Sequence, residues 1–307
     1  MKKETTTIIE MNELKEIKNN FIFFLENTSD FVYFKDKDHR FKYASNAFAN
    51  LSNHDSWKDI IGKNDFDIFP KEQAEMYFAE EEKLLKHAEE IIDIEEQYYD
   101  NEGNLCWLSS SKKVIYDDNK NIIGLFGLSK DITEKKKFEN NLYEKANFDN
   151  LTGISNRAFF MEQSSKFINL AKRTNQKVAL FSLDLDSFKE INDTYGHESG
   201  DIILKRIANR LMRKFRDSDV IGRLGGDKFV ILTFIDEIKS SVNIISDELK
   251  STINRDIIFN NNIFKVECSV GISLFPTNAD GIDELLSKAN NAMRKAKSTG
   301  KNRTVIY

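Results

Sequence analysis

Two short stretches carry residues that can do chemistry. KVALFSLDLD, residues 177–186, is an apolar run that ends in Asp184 and Asp186. RLGGDKFVIL, residues 223–232, sets Asp227 and Lys228 directly behind two glycines and between two apolar runs. The first reads as a buried strand, and side-chain alternation puts Asp184 and Asp186 on the same side of its end. The second reads as a β-hairpin, because tight hairpin turns need positive φ and glycine accepts it without strain. One acid after a strand is usually a cap or a turn residue. Two at this spacing, with a third at a hairpin tip, suggest a divalent-metal site. Mg²⁺ wants hard oxygen ligands and usually keeps phosphates and water as the others.

The elements that must hold these residues can be read by period. FDNLTGISNRAFFMEQ, from Phe148, is a polar turn (Asp149 to Arg157) leading into a helix that presents Phe159, Phe160 and Phe167. Residues 187–211 are helix-compatible. Earlier in the chain, Met11, Leu14, Ile17, Phe21 and Phe24 recur at helical spacing across residues 8–26. FVYFKDKDHRFKYAS, from Phe31, is a hairpin around the polar turn KDKDH, and SNAFANLS is a short helix with Ser45 as N-cap. GKNDFDIFP is a turn-rich loop, and KEQAEMYFAEEEKLLKHA is helical by period. Three strand-like stretches follow, IIDIEEQYYD, NLCWLSSSKKVIYDD and IIGLFGLSKDI, with turns expected at 101–103 and 117–120. EKKKFENNLYEKA then carries Phe138, Leu142 and Ala146 as a narrow stripe suited to a two-helix contact, with Thr133 expected as its N-cap.

Composition bounds the rest. A chain of 307 residues is about two domains long. With 40% apolar and 31% charged residues and a formal net charge of −5, it can bury real cores, and nucleic acid or an anionic membrane surface is not an expected main partner. Cys106 and Cys268 lie far apart, so neither a disulfide framework nor a zinc site is expected. The start lacks a signal-peptide pattern, and no run approaches the ~18 apolar residues of a membrane helix. A cytoplasmic location with reduced thiols is expected.

The order of elements over residues 21–134 resembles a PAS domain, on GKNDFDIFP after the short helices, NEGNLCWL opening a strand and DITEKKKFE at the end. In such domains a D-x-T element, here Asp131 and Thr133, ties the last strand to an outgoing helix. The cysteine of a flavin-photoreceptor version is missing, since Asp65 stands in its place. His39, His54 and His87 are each haem ligands only in principle; a lone histidine on a charged helix such as KLLKHAEE reads as a surface residue. The PAS ligand, if any, is left unknown.

DNLTGISNR, LDLDSFKEINDTYGHESGD, RDSDVIGRLGGDKF, VGISLFP and AMRKAKSTGKNR occur in the order seen in GGDEF domains, the diguanylate cyclases, over residues 148–307. The resemblances together imply an α+β chain of two domains. A PAS fold, an antiparallel five-stranded sheet with short helices, is joined by a helix to a nucleotidyl-cyclase-like, ferredoxin-like (palm) α/β sandwich. The expected boundaries are an N-terminal helix over 1–20, PAS over 21–134, a linking helix over 135–147 and GGDEF over 148–307.

The GGDEF resemblance implies condensation of two GTP into cyclic di-GMP, with loss of pyrophosphate and dependence on Mg²⁺ or Mn²⁺. Asp184 and the Leu185 carbonyl would hold metal, and Asp227 would be the second metal-binding acid and activate the 3′-hydroxyl. Ser187 and Phe188 would offer backbone N–H groups to the triphosphate beside Lys189. Asn192 and Asp201 match the guanine-reading pair, and Lys297 and Lys301 the phosphate contacts near the C-terminus. Lys301 stands where the family commonly has arginine, and so loses the bidentate fork. Arg216 and Asp219 match the family's R-x-x-D site for inhibition by the product. Each domain would hold one GTP, so a homodimer belongs to the mechanism.

The chain departs from the family at one residue. Lys228 stands where the signature has glutamate, turning −1 into +1 beside the expected metal site. Two readings follow: a PAS-regulated diguanylate cyclase, and a catalytically silent GGDEF domain that binds GTP or cyclic di-GMP. They separate on which way Lys228 points.

Overall fold

The computed structural model describes residues 2–100, 102–236 and 238–307. Asn101, first residue of the turn expected at 101–103, lies outside them, as do Met1 and Glu237. Contacts divide the chain into two compact α+β units, one up to Glu139 and one from Asn140 onward.

The first unit opens with α1 (Lys2–Asn27). The apolar stripe read on it splits. Phe21 packs edge-on against Phe34 and Tyr43, at ring distances of 5.7 and 5.4 Å, while Met11, Leu14 and Ile17 are each 65% exposed. The expected hairpin is β1 (Phe31–Asp36) with β2 (Phe41–Ala44), and Ser45 caps α2 (Asn46–Leu51) by accepting the Phe48 N–H at 3.1 Å. A 3₁₀ turn (Trp57–Ile60), α3 (Asp65–Ile68) and α4 (Lys71–His87) follow. Then come β3 (Ile91–Tyr99), β4 (Leu105–Tyr116) and β5 (Ile122–Asp131). Among the described residues these strands form one five-stranded sheet, β2-β1-β5-β4-β3, antiparallel at every step.

Under this sheet lies a charged knot. Lys35 Nζ meets Asp65 Oδ2 at 2.5 Å and Glu81 Oε1 at 2.6 Å, with all three side chains buried. His39, at the hairpin turn, sets both ring nitrogens 3.0 Å from carboxylates of α4, Nδ1 on Glu81 and Nε2 on Glu82. Both ring nitrogens thus face carboxylates, an arrangement that favours the imidazolium. A neighbouring cavity of about 40 Å³, walled by Tyr33, Phe69, Tyr77, Glu96 and Lys112, has room for on the order of three waters.

The D-x-T element joins strand to helix, though not as expected. Asp131 Oδ1 accepts the Thr133 N–H at 2.7 Å. Thr133 is the first residue of α5 (Thr133–Asn147) rather than its cap, and its hydroxyl accepts the Trp107 N–H of β4 at 2.9 Å. Phe138, Leu142 and Ala146 on α5 are exposed.

The second unit is built around β6 (Lys177–Leu185). Its apolar run is continuous because both faces are covered. Ala179, Phe181, Leu183 and Leu185 join one core with α8 (His197–Lys214) and α9 (Ile238–Ile253). Val178 and Leu180 join another with α6 (Arg157–Thr174) and α10 (Ile282–Ser298). The remaining elements are α7 (Phe188–Tyr195), β7 (Val220–Gly225), β8 (Lys228–Ile235), the ribbon β9 (Ile257–Phe259) and β10 (Asn262–Phe264), β11 (Cys268–Phe275) and β12 (Thr304–Ile306). The sheet order is β12-β11-β6-β8-β7, antiparallel except for the parallel pair of β11 with β12. Helices on both faces of a mostly antiparallel sheet are the arrangement expected from sequence.

Candidate functional site

The site lies where β6 ends beside the β7–β8 turn. Alternation along β6 turns Ser182 and Asp184 to the α10 face, where two residues two helical turns apart receive them. Ser182 Oγ donates to Asn290 Oδ1 at 2.7 Å, and the Lys297 ammonium bonds Asp184 Oδ1. Asp184 is buried. Burial pushes its carboxyl above the usual carboxylate range and the nearby Asp227 charge adds to the push, against the pull of Lys297.

The hairpin tip is made by Gly225 (φ 122°), a conformation that side chains rarely adopt, and Gly226 (φ 57°), in the left-handed region that favours glycine. The β7–β8 register shifts between Arg223 and Gly225, while the regular β6–β8 register sets Lys228, not Asp227, directly opposite Asp184. Lys228 Nζ lies 3.5 Å from Asp184 Oδ2 and 3.4 Å from Asp227 Oδ1. Burial works against this charge, but the two carboxylates outweigh it and hold the ammonium's pKa above its ordinary value. The question left open by the sequence thus has an answer: Lys228 points between the two acids. Leu185 is tied to the same tip, its N–H donating to the Asp227 carbonyl at 3.3 Å.

The donor set does not fit a divalent cation between Asp184 and Asp227. An ammonium lies there, and lysines engage both oxygens of Asp184. Asp186 takes a different part from Asp184. Its carboxylate accepts from Ser269 Oγ at 2.8 Å and from the Asn302 N–H at 2.9 Å, clasping the turn after α10 to the end of β6.

That turn delivers Lys301, whose Nζ donates to Ser187 Oγ at 3.2 Å. Ser187 is left-handed (φ 56°) and precedes α7, so the Phe188 N–H stands in the helix's first turn, and Lys189 beside it is exposed. Asn192 on α7 packs against Gly200 on α8, where a Cβ would come within 1.9 Å of Asn192 Oδ1. Asp201, the next residue, is exposed. Asn192 Oδ1 is buried and has no hydrogen-bond partner among the described residues.

Arg216 and Asp219 belong to a different place. They line a cavity of about 770 Å³ against α6, together with Arg173 and Lys166. Asp219 accepts the Arg216 backbone N–H at 2.9 Å, which leaves the guanidinium out of the turn. Arg173 was not singled out from sequence; lying on α6, it meets the R-x-x-D turn only through tertiary packing. Arg223 is a second residue not singled out. It donates from Nε to the Gly226 carbonyl at 2.9 Å and pairs with Asp149 at 2.8 Å, holding the glycine turn to the start of the unit.

Comparison with known proteins identifies the two domains. The family described as diguanylate cyclase, GGDEF domain, matches residues 146–303, more than half the chain. A PAS fold matches residues 25–137. A diguanylate cyclase of Vibrio cholerae serotype O1 is 26% identical over 98% of this chain and 94% of its own length. Diguanylate cyclase TpbB of Pseudomonas aeruginosa is 35% identical over 51% of this chain, which spans 36% of that protein. Among solved structures, diguanylate cyclase SiaD of Pseudomonas aeruginosa, in complex with its activator SiaC, is 26% identical with a TM-score of 0.50, covering 57% of this chain and 66% of that one. The chain belongs to the GGDEF family of diguanylate cyclases, with a PAS fold ahead of its GGDEF domain.

Proposed function

We propose that this chain is a PAS-linked GGDEF module that binds guanine nucleotide and cyclic di-GMP as signals and turns GTP over feebly or not at all. The observation that carries this reading is the Lys228 ammonium, 3.5 and 3.4 Å from the two acids expected to hold the metal. Attack of a 3′-oxygen on an α-phosphorus needs the phosphates neutralised and the attacking oxygen made more acidic. A metal ion does both, while an ammonium neutralises charge but is no Lewis acid. Ser187, Phe188, Lys189, Lys297 and Lys301 would receive phosphate, and Asn192 and Asp201 guanine. Arg216 and Asp219, with Arg173, would receive cyclic di-GMP. The exposed stripe on α5 suits a homodimer. No helix among the described residues is long and apolar enough to cross a membrane.

The test is GTP turnover by the purified chain with Mg²⁺, products separated by chromatography, beside Lys228→Glu. The expected result is at least about 100-fold more cyclic di-GMP from the variant, a barrier difference of about 2.7 kcal/mol. Equal or greater production by the native chain overturns the proposal and favours the second reading, a PAS-regulated cyclase. One observation supports that reading: Asp184, Asp227 and Lys297 meet at one point, joined there by Lys228.

A further inference from the structure

We infer that the GGDEF domain binds guanine nucleotides without a divalent cation, the Lys228 ammonium standing in the cation's place. This rests on the reading of the site as a guanine-nucleotide site. Replacing the signature glutamate by lysine adds two positive charges, the charge of one divalent ion. The carboxylates of Asp184 and Asp227 are balanced by the ammoniums of Lys228 and Lys297, so little negative charge remains to draw a metal. An ammonium has three N–H donors. Asp227 Oδ1 accepts from it at 3.4 Å and Asp184 Oδ2 is ion-paired with it at 3.5 Å, so a donor is left for a phosphate oxygen, the bridge that a metal would otherwise make. The half-exposed Lys228 side chain leaves that donor reachable. Lys297 on Asp184 and Lys301 on Ser187 extend the row of cations, and the Phe188 N–H adds a neutral donor where α7 begins. Unlike a metal, this cation is covalently part of the chain and cannot be chelated.

The experiment is calorimetric titration of the full chain with GTP, in EDTA and in excess MgCl₂, for the native protein, Lys228→Glu and Lys228→Gln. The native Kd should differ by less than about threefold between the two buffers. Lys228→Glu should bind at least about tenfold more weakly in EDTA and recover in MgCl₂. Lys228→Gln, which keeps nearly the same reach without charge, should be weakened in both. Native binding that disappears in EDTA and returns with MgCl₂ overturns the inference, even if the protein proves silent in turnover. Native binding that survives EDTA in a protein that also makes cyclic di-GMP at least as fast as Lys228→Glu supports the inference and overturns the proposed function. No GTP binding in either buffer overturns both.

Discussion

At the scale of single residues, Gly200 tests the guanine pocket. Any side chain there would press on Asn192, whose amide oxygen lies 1.9 Å from where a Cβ would be. Gly200→Ala should weaken GTP binding at least about tenfold with little change in thermal midpoint, since Asn192 can swing away as the end of a flexible side chain. Unchanged affinity would remove Asn192 from the guanine site. Residues also mark where reading the sequence stopped. Asp184 and Asp186 share a side by alternation, but their partners, Lys297 against Ser269 and Asn302, come from segments over 80 residues away. The orientation of Lys228 depends on the pairing of β8 with β6, a strand about 40 residues earlier, and that register cannot be read from the hairpin itself. Arg173 and Arg223 escaped notice because nothing local distinguishes them from other surface arginines.

At the scale of elements, period was a good guide wherever an element buries one face. α6 and α4 were legible in this way, whereas the single helix-compatible stretch over 187–211 is two helices, α7 and α8, that meet at Gly196. β12 was not legible, since three residues carry no period and its pairing with β11 exists only in the folded chain. Nor was the charged knot under the PAS sheet, where Lys35, Asp65 and Glu81 come from a strand and two helices. That knot makes the contact of the β1–β2 turn with α4 sensitive to pH. The hydrogen bond that His39 donates to Glu81, helped by the one to Glu82, raises the His39 pKa against the opposing effects of burial and the Lys35 charge, with the Phe78 ring packed 4.4 Å away. A raised pKa in the folded state gives stability that is complete below the unfolded value of about 6.5 and is lost as pH climbs through the folded value. The PAS unit's unfolding midpoint should therefore fall as pH rises from about 6.5 through the raised folded value, and His39→Gln should flatten that slope. An equal slope in the variant would assign the loss to other groups. On α5, Phe138 and Leu142 are 64% and 51% exposed, so Leu142→Lys should weaken self-association at least about tenfold in sedimentation. No shift would move the dimer contact elsewhere.

At the scale of the whole molecule, each unit has a core of its own. Tyr33, Phe41, Phe48, Trp57 and Leu125 close the first, and two clusters on either face of one sheet close the second. Calorimetry of the native chain should show two transitions, and GTP at about 100 times its Kd should stabilise only the second unit, by about 2.7 kcal/mol. A single transition, or a shift in both, would mean that the units are coupled. This two-part plan was legible because each half carries its own succession of elements. What each half responds to was not, since that depends on a few side chains brought together from distant segments. The pairing of Lys228 with Asp184 across β6 and β8 also has a consequence for inheritance. In the genetic code, lysine and glutamate codons differ only in their first base. A lineage can therefore pass between a site built around its own ammonium and one built around a borrowed metal by a single nucleotide change, with the hairpin, the helices and the nucleotide contacts left standing on both sides of the step.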